Sequence, residues 1–481
     1  MGNILFKDLN LSEDILKALK NLGFDEPSEV QKEAIPHILK DTDIIVKSQT
    51  GSGKTASFGI PLCEKVEVES SDVQCLVLVP TRELAMQVKD DISDIGRLKK
   101  IRCAAVFGKQ PFNDQIRELK QRVHIVIGTP GRIADHIERG TLKVNKLKYV
   151  VVDEADKMLN MGFIDQIKDI LNKLPKNRVT TLFSATLPDE IEILSKSYMK
   201  DAKVLNVKSK VFNRDRIKES FVNVEDNAKF KLLWQSIYSE VPNKCIVFCN
   251  TRNKVKSVYE LMRKEGFLAE ELHGEMEQRE RLSVMEKFKN DEFKVLVATD
   301  VAARGIHIED ITHVFNFEVP MEKESYVHRI GRTGRAGKEG KAITFVSNYE
   351  KKFLDEIQEY IGYNIERGAF PEGEKIRDGK IKFKESQKEF IKNKNNKKKQ
   401  VHSEITKIHI SGGKKKKLRN IDIVGALSNV QGLTGEDIGI IDVQDGFSFV
   451  DILNNKGQMF LKNNKEITIK GKKLKIQKAK K

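Results

Sequence analysis

Tyr149-Val150-Val151-Val152-Asp153-Glu154-Ala155-Asp156 joins an apolar run directly to an acidic one. Three consecutive valines suit a strand buried on both faces, the kind found inside a parallel sheet. The carboxylates then fall just past the strand's carboxyl end, where open α/β sheets place their ligands. The same acids would also suit the first turn of a solvated helix, whose dipole favours negative charge. A phosphate-binding loop elsewhere in the chain would decide between these readings.

Such a loop is present. Ile44-Ile45-Val46 leads into Lys47-Ser48-Gln49-Thr50-Gly51-Ser52-Gly53-Lys54-Thr55, a strand, a glycine-bearing loop and a helix start. The glycines let backbone N–H groups wrap a phosphate, Lys54 reaches the terminal phosphates, and the Thr55 hydroxyl suits Mg²⁺. Ser48 stands where the usual pattern has Gly or Ala. With a nucleotide in place, the carboxylates at 153–154 acquire work: Asp153 suits the metal, and Glu154 suits the attacking water. ATP and Mg²⁺ are the expected cofactors.

Around these two stretches, residues 1 to about 208 alternate helical patterns with short apolar runs (Leu76–Val79, Ile125–Ile127, Thr181–Phe183), which predicts a doubly covered parallel sheet. The pattern recurs from about 209 to 365, in Ile246–Phe248, Val295–Ala298, His313–Phe315 and Ala342–Phe345. Residues 366–404 lose apolar periodicity and become Lys-rich, which reads as a basic flexible linker. Residues 405–481 read β-α-β-β-α-β. The expected fold class is therefore α/β, two tandem parallel-sheet domains followed by a small α+β domain.

The 481 residues carry 86 Lys+Arg against 70 Asp+Glu, a net +16, which favours a polyanionic partner such as nucleic acid. The last 77 residues alone hold 16 basic and 7 acidic side chains, so more than half the net charge sits in the smallest domain. No apolar run approaches the roughly 20 residues needed to cross a bilayer. A soluble cytoplasmic protein with no membrane partner is expected. The five cysteines, Cys63, Cys75, Cys103, Cys245 and Cys249, have no spacing that completes a zinc set, and read as buried reduced thiols.

Asp153-Glu154-Ala155-Asp156 resembles the signature of DEAD-box ATP-dependent RNA helicases, and the match extends over residues 1 to about 365. Gly23-Phe24, Pro27 and Gln31 are similar to the family's Q motif. The resemblance implies that Gln31 reads the adenine edge and Phe24 stacks on its face, with Phe6 as an isolated upstream aromatic. Pro80-Thr81-Arg82-Glu83-Leu84-Ala85, Gly108 and Thr129-Pro130-Gly131-Arg132 resemble the segments that hold the RNA backbone, which assigns Arg82, Gly108, Thr129 and Arg132 to RNA. Ser184-Ala185-Thr186 resembles the motif that links hydrolysis to strand separation, with Asp156 as its expected partner. In the second domain Val247-Phe248-Cys249-Asn250-Thr251, Gln278 with Arg281, and Ala298-Thr299-Asp300 to Ile306 continue the match, placing Gln278, Arg281 and Thr299 on RNA. His328-Arg329-Ile330-Gly331-Arg332-Thr333-Gly334-Arg335 closes it, with Arg332 and Arg335 as the expected arginine fingers. One position departs from the family: His307 stands where an Asp usually contacts the ATP ribose. A neutral imidazole can still hydrogen-bond but supplies no fixed negative charge.

In the tail, Gly446-Phe447-Ser448-Phe449-Val450 partly matches the RNA-recognition pattern, with Asp445 where a basic residue is usual. Phe447 and Phe449 share a face, either as a base-stacking platform or as core, and the core reading leads because Asp445 would repel phosphate. Gly412-Gly413-Lys414-Lys415-Lys416-Lys417-Leu418-Arg419 is a stronger RNA signal, although it would also suit a solvated helix start. A DEAD-box core followed by this segment resembles the DbpA subfamily, which implies that the two parallel-sheet domains are RecA-like and the small α+β domain RRM-like. That implies a tail holding a hairpin of large-subunit 23S ribosomal RNA and delivering the core to adjacent duplexes of a pre-ribosomal particle. A monomer suffices for this. The competing expectation is a ribosomal-RNA clamp or chaperone whose ATPase is impaired at His307.

Overall fold

The computed structural model describes residues 4–48, 53–207, 216–300, 311–334, 338–393 and 404–479. The chain forms two compact units, the first drawing on residues up to 207 together with the tail from 399 onward, the second on residues 208–398.

In the first unit, β1 (Ile44–Lys47), β2 (Cys75–Leu78), β3 (Cys103–Val106), β4 (Ile125–Gly128), β5 (Tyr149–Val152), β6 (Val179–Ser184) and β7 (Lys203–Asn206) form one sheet. Its order is β3-β4-β2-β5-β6-β1-β7, with every pairing parallel. Period-two alternation sends neighbouring residues to opposite faces. Tyr149 and Val151 enter one core with Ile44 and Val46, while Val150 and Val152 enter the other with Ile45. Two faces buried under helices explain why β2, β3, β4 and β5 are apolar without interruption. Because β5 and β1 flank β6, the carboxyl ends carrying Asp153 and Ser48 open on the same edge of the sheet.

The second unit repeats the plan with β8 (Ile217–Asn223), β9 (Cys245–Phe248), β10 (Ala269–Leu272), β11 (Val295–Ala298), β12 (His313–Asn316), β13 (Gly340–Val346) and β14 (Glu366–Arg367). The order is β10-β11-β9-β12-β13-β8-β14. Here the linker expectation for residues 366–404 is corrected. Residues Gly373–Asn393 form a helix, and its Phe383 is fully buried against Tyr238 and Phe267 at 6.0 and 5.5 Å between ring centroids. Ile376, Gly379, Phe383 and Gln387, spaced along one helix face, turn to the domain, while Lys375, Lys380, Lys382 and Lys384 stay exposed.

The tail within the first unit has β15 (Thr406–Ile410), β16 (Ile438–Val443), β17 (Ser448–Ile452), β18 (Glu466–Ile469) and β19 (Lys472–Lys478), in the antiparallel order β16-β17-β15-β19-β18. The last strand of the expected β-α-β-β-α-β pattern is thus a hairpin. Lys470 and Gly471 form its two-residue loop at φ 51° and 74°, the positive values a tight hairpin turn requires. All five cysteines are buried and free, and burial pushes the Cys103 thiol up to about 12. Among the described residues no helix is long and apolar enough to cross a membrane.

Candidate ATPase and RNA-binding site

At the end of β5 the backbone turns sharply. Asp153 continues the ladder by donating its N–H to Leu78 O at 3.0 Å, and Glu154 then takes a left-handed φ of 56° at the head of the helix Ala155–Asn160. A non-glycine residue there carries backbone strain, a feature that collects at functional sites. Both acids are buried. Burial pushes the Asp153 carboxyl up to about 7, against the pull of the Lys54 ammonium and with the Glu154 charge raising it further. Its Oδ1 has no hydrogen-bond partner among the described residues. Glu154 is held by Lys157 at 2.6 Å.

Lys54 opens the helix Lys54–Lys65 and is itself buried, with Thr55 half-buried beside it. Gly53 precedes them at φ 88°. Gln31 is buried and fixed twice over: its Oε1 accepts from Ser28 N at 2.9 Å, and its Nε2 donates to Gly53 O at 3.2 Å. Phe24 is half-buried, and Phe6, rather than standing isolated, is buried edge-on to it at 6.3 Å. Ser48 donates its N–H to Ser184 O at 3.0 Å, tying the loop's first residue to the end of β6. Gln49, Thr50, Gly51 and Ser52 lie outside the described residues, as do His307 and Arg335.

Asp156 and the Ser184–Thr186 segment come together as the sequence suggests. Asp156 Oδ2 accepts from Ala185 N, Thr186 N and Thr186 Oγ1 at 3.2, 3.1 and 3.2 Å, while Ser184 Oγ accepts from Asp156 N at 3.2 Å.

A second cluster sits at the carboxyl ends of β2, β3 and β4. The Arg82 guanidinium lies over Gly108, where an added Cβ would be 3.4 Å from Nη2. Thr129 N–H donates to Val106 O at 3.1 Å, and Arg132 Nη1 donates to Gln110 O and Gln115 Oε1 at 3.1 and 3.0 Å. Gln115 also bonds His136, which stacks on Phe112 at 4.0 Å. Sequence reasoning missed Gln115 and His136, since a polar residue at a core-facing helix position gives no periodic signal.

In the second unit the missed residue is Arg329. It is 1% exposed, and its guanidinium forks onto Asp300 with two 2.6 Å bonds. It also reaches Asn250 Oδ1 and Glu318 O at 2.7 Å each, and Asn316 Oδ1 at 3.5 Å, over the Phe248 ring. Asn250, Asp300 and the helix carrying Arg329 are thereby joined at one point. Arg332 is buried and donates from Nε to His328 O at 3.1 Å. Gln278 opens the helix Gln278–Lys289, which also carries Arg281, and Thr299 N–H donates to Leu272 O at 3.2 Å.

In the tail, Lys414–Lys416 form a single 3₁₀ turn and Lys417 a left-handed cap, all four exposed. Ser448 Oγ donates to Gly412 O at 2.7 Å, and the N–H groups of Lys414 and Lys415 donate to Gln444 O and Asp445 O at 2.8 and 2.9 Å. A Cβ on Gly413 would collide with Gln444 O, so only glycine fits this approach. The β18–β19 hairpin joins the turn, with Lys470 Nζ and Lys472 Nζ donating to Lys417 O and Lys416 O at 3.2 Å each. Six lysines therefore surround one corner. The core reading of the tail phenylalanines is corrected. The tail core is built on Ile408, Ile410, Val450 and Ile452, whereas Phe447 is 38% exposed and groups with His409 and Phe449 on the other face, ring centroids 5.2 to 5.6 Å apart.

Family models for the DEAD/DEAH box helicase match residues 28–194, for the helicase conserved C-terminal domain residues 228–337, and for the DbpA RNA binding domain residues 407–478. An ATP-dependent RNA helicase DbpA of Bacillus subtilis is 49% identical over 476 residues, covering 99% of each chain. The chain belongs to the DbpA branch of the DEAD-box RNA helicases. It is an ATP-dependent RNA helicase. A DEAD-box helicase CshA of Geobacillus kaustophilus is 46% identical but covers only 75% of this chain and 78% of its own. Among solved structures, Saccharomyces cerevisiae Dbp5 bound to RNA and ADP-BeF₃ aligns with a TM-score of 0.70 at 31% identity, covering 80% of this chain and 99% of that one.

Proposed function

We propose that this helicase acts on large-subunit 23S ribosomal RNA during ribosome assembly in the cytoplasm, working as a monomer on pre-ribosomal particles. The observation that carries the target is the tail: a DbpA RNA binding domain at 407–478 with six lysines gathered at one corner, two from the hairpin closing on the Lys414–Lys417 turn. Clustered, exposed lysines attract a phosphate backbone and give an affinity that falls steeply with salt. Held by a hairpin, the tail raises the local concentration of the core at nearby duplexes.

In the ATP site, Gln31 and Phe24 select adenine and the 48–54 loop takes the phosphates. Mg²⁺ fits the donors present: Asp153 offers a buried carboxylate raised by desolvation, its Oδ1 without a hydrogen-bond partner among the described residues, and Thr55 adds a hydroxyl. The few protein ligands suit an ion that keeps waters and substrate phosphate oxygens as its remaining partners. When bound, it neutralises charge on the terminal phosphates. Glu154 orients the attacking water, Arg332 and Arg335 supply positive charge on closure, and Asp156 with Ser184 and Thr186 passes the change to the RNA-facing arginines, Arg82 and Arg132. Gly108, Thr129, Gln278, Arg281 and Thr299 complete the backbone contacts.

Turnover with 23S RNA should exceed that with an unrelated RNA of equal length. Replacing Lys414, Lys416, Lys417 and Lys470 by Glu should remove that preference but leave the general RNA stimulation. An unchanged preference would refute the tail assignment, and turnover no greater than in Glu154→Gln would refute the ATPase reading.

A further inference from the structure

The loop Arg97-Leu98-Lys99-Lys100-Ile101-Arg102 joins the helix Arg82–Ile95 to β3 and does not reach the ATP or RNA residues described above. Both of its arginines engage the tail. Arg97 Nη2 lies 3.1 and 3.4 Å from the two oxygens of Asp451. Arg102 Nη2 lies 3.0 Å from Asp442 Oδ1, and its Nη1 donates to Ile441 O at 2.9 Å. Beside them Ala18 and Leu98 form an apolar cluster with Ile405 and Leu453 of the tail, and Asn21 Nδ2 donates to Glu404 Oε1 at 2.6 Å.

The acids stand out against their own domain, which carries 7 acidic and 16 basic side chains. Asp442 is paired across β16–β17 with Phe449, and Asp451 lies two residues further along β17. Both therefore stand on the sheet's outer face, the face of the His409–Phe447–Phe449 trio. The Asp451 side chain is only 2% exposed, and a buried carboxylate needs a cation at this closeness.

We propose that Arg97 and Arg102 form an ionic latch that docks the tail, by the acidic edge of its outer sheet face, on the first helicase domain, and that the phosphate chain of single-stranded RNA releases it. RNA phosphates compete for the same two guanidinium groups and are repelled by Asp442 and Asp451. The tail thus has a resting place on the core and leaves it when RNA arrives. This holds whichever RNA the tail prefers.

The test is lysine cross-linking of the full chain read by mass spectrometry, with Lys99 and Lys100 on the loop and Lys407 and Lys456 in the tail as reporters. At low salt the wild type should give loop-to-tail cross-links. Arg97→Glu with Arg102→Glu should lower their yield about tenfold, equivalent to about 1.4 kcal/mol. Adding Asp442→Arg and Asp451→Arg should restore them. Titrating oligouridine into the wild type should also lower them, as should about 1 M salt, where screening acts within about 3 Å. Wild-type yield in the Glu pair, or failure of the folded fourfold variant to recover it, would overturn the latch. Cross-links indifferent to saturating oligouridine would overturn the release. The wild-type salt and RNA titrations decide these points even where a variant fails to fold.

Discussion

Replacing Arg329 by Met tests whether the second helicase domain is organised by one buried guanidinium. The side chain is 1% exposed and gives five hydrogen bonds to four residues, two of them to Asp300. Removing one partner of a buried, hydrogen-bonded ion pair typically costs about 3–5 kcal/mol, because the other charge is left without compensation. A domain of this size shifts by about 2–4 °C per kcal/mol, so Arg329→Met should lower its melting temperature by roughly 10 °C. The single tryptophan of the chain, Trp234, packs beside the core of this same unit and reports its unfolding by fluorescence without a signal from the first domain. Arg329→Lys should recover only part of the loss, since an ammonium cannot reproduce the two-toothed grip on Asp300. In a double-mutant cycle with Asp300→Asn, the coupling should reach about 1.5 kcal/mol or more. A shift below about 3 °C, or additive effects in the cycle, would refute the central role of Arg329.

Thr186→Ala removes one of three bonds to Asp156 Oδ2. It should lower duplex separation per ATP hydrolysed while stability falls by only about 1 kcal/mol, and an equal loss in both activities would argue against a coupling role. Asp153 has a raised carboxyl in the fold, so the nucleotide-free protein holds more protons than the unfolded chain between about pH 4 and 7. Its stability should therefore decline as pH rises through that window. Denaturant titrations of Asp153→Asn should lack that decline, and parallel profiles for the two proteins would contradict the raised carboxyl. His307→Asp should tighten ATP binding and make RNA-stimulated turnover less pH-dependent, and identical behaviour at pH 6 and pH 8 would show that this position does not tune the site.

The candidate ATP site was legible as a pattern because its chemistry ties residue types to strand ends: a strand, glycines and Lys54-Thr55, then a second strand ending in Asp153-Glu154. Strand alternation likewise announces two buried faces, as Val150 and Val151 entering opposite cores illustrate. Arg329 was hidden for the converse reason. It stands three residues from Arg332 in the same arginine-rich run, and nothing in the spacing says that one is enclosed by four partners. The helix over 373–393 was hidden by composition, because its inward face consists of Ile376, Gly379, Phe383 and Gln387 among exposed lysines, too few apolar residues to give a periodic signal. For Phe447 and Phe449 the period of two gave a shared face but not its direction. Direction is fixed by Ile408, Ile410, Val450 and Ile452, which together fill the other side.

The tail's charges divide by what they touch. Asp437 is held by Lys456 and Asn454, Asp422 by Lys470 and Arg419, and Asp442 and Asp451 by the arginines of the first helicase domain. Four of the seven acids are thus committed to partners, and none of the four is paired with Lys414–Lys417. Those lysines are fixed by bonds through their backbone carbonyls and N–H groups and by Lys416 Nζ donating to Ser411 O at 2.8 Å, none of which neutralises them. A surface built this way keeps its positive field for a polyanion while using its acids to hold fold and dock together. The outer sheet face then carries two features side by side: a partly exposed aromatic trio, and an acidic edge turned to protein. Gly413 packs against the Phe447 backbone, so RNA passes from the lysine corner straight onto the trio and meets the acidic edge only beyond Phe449, which makes undocking from Arg97 and Arg102 a consequence of RNA that extends across the trio.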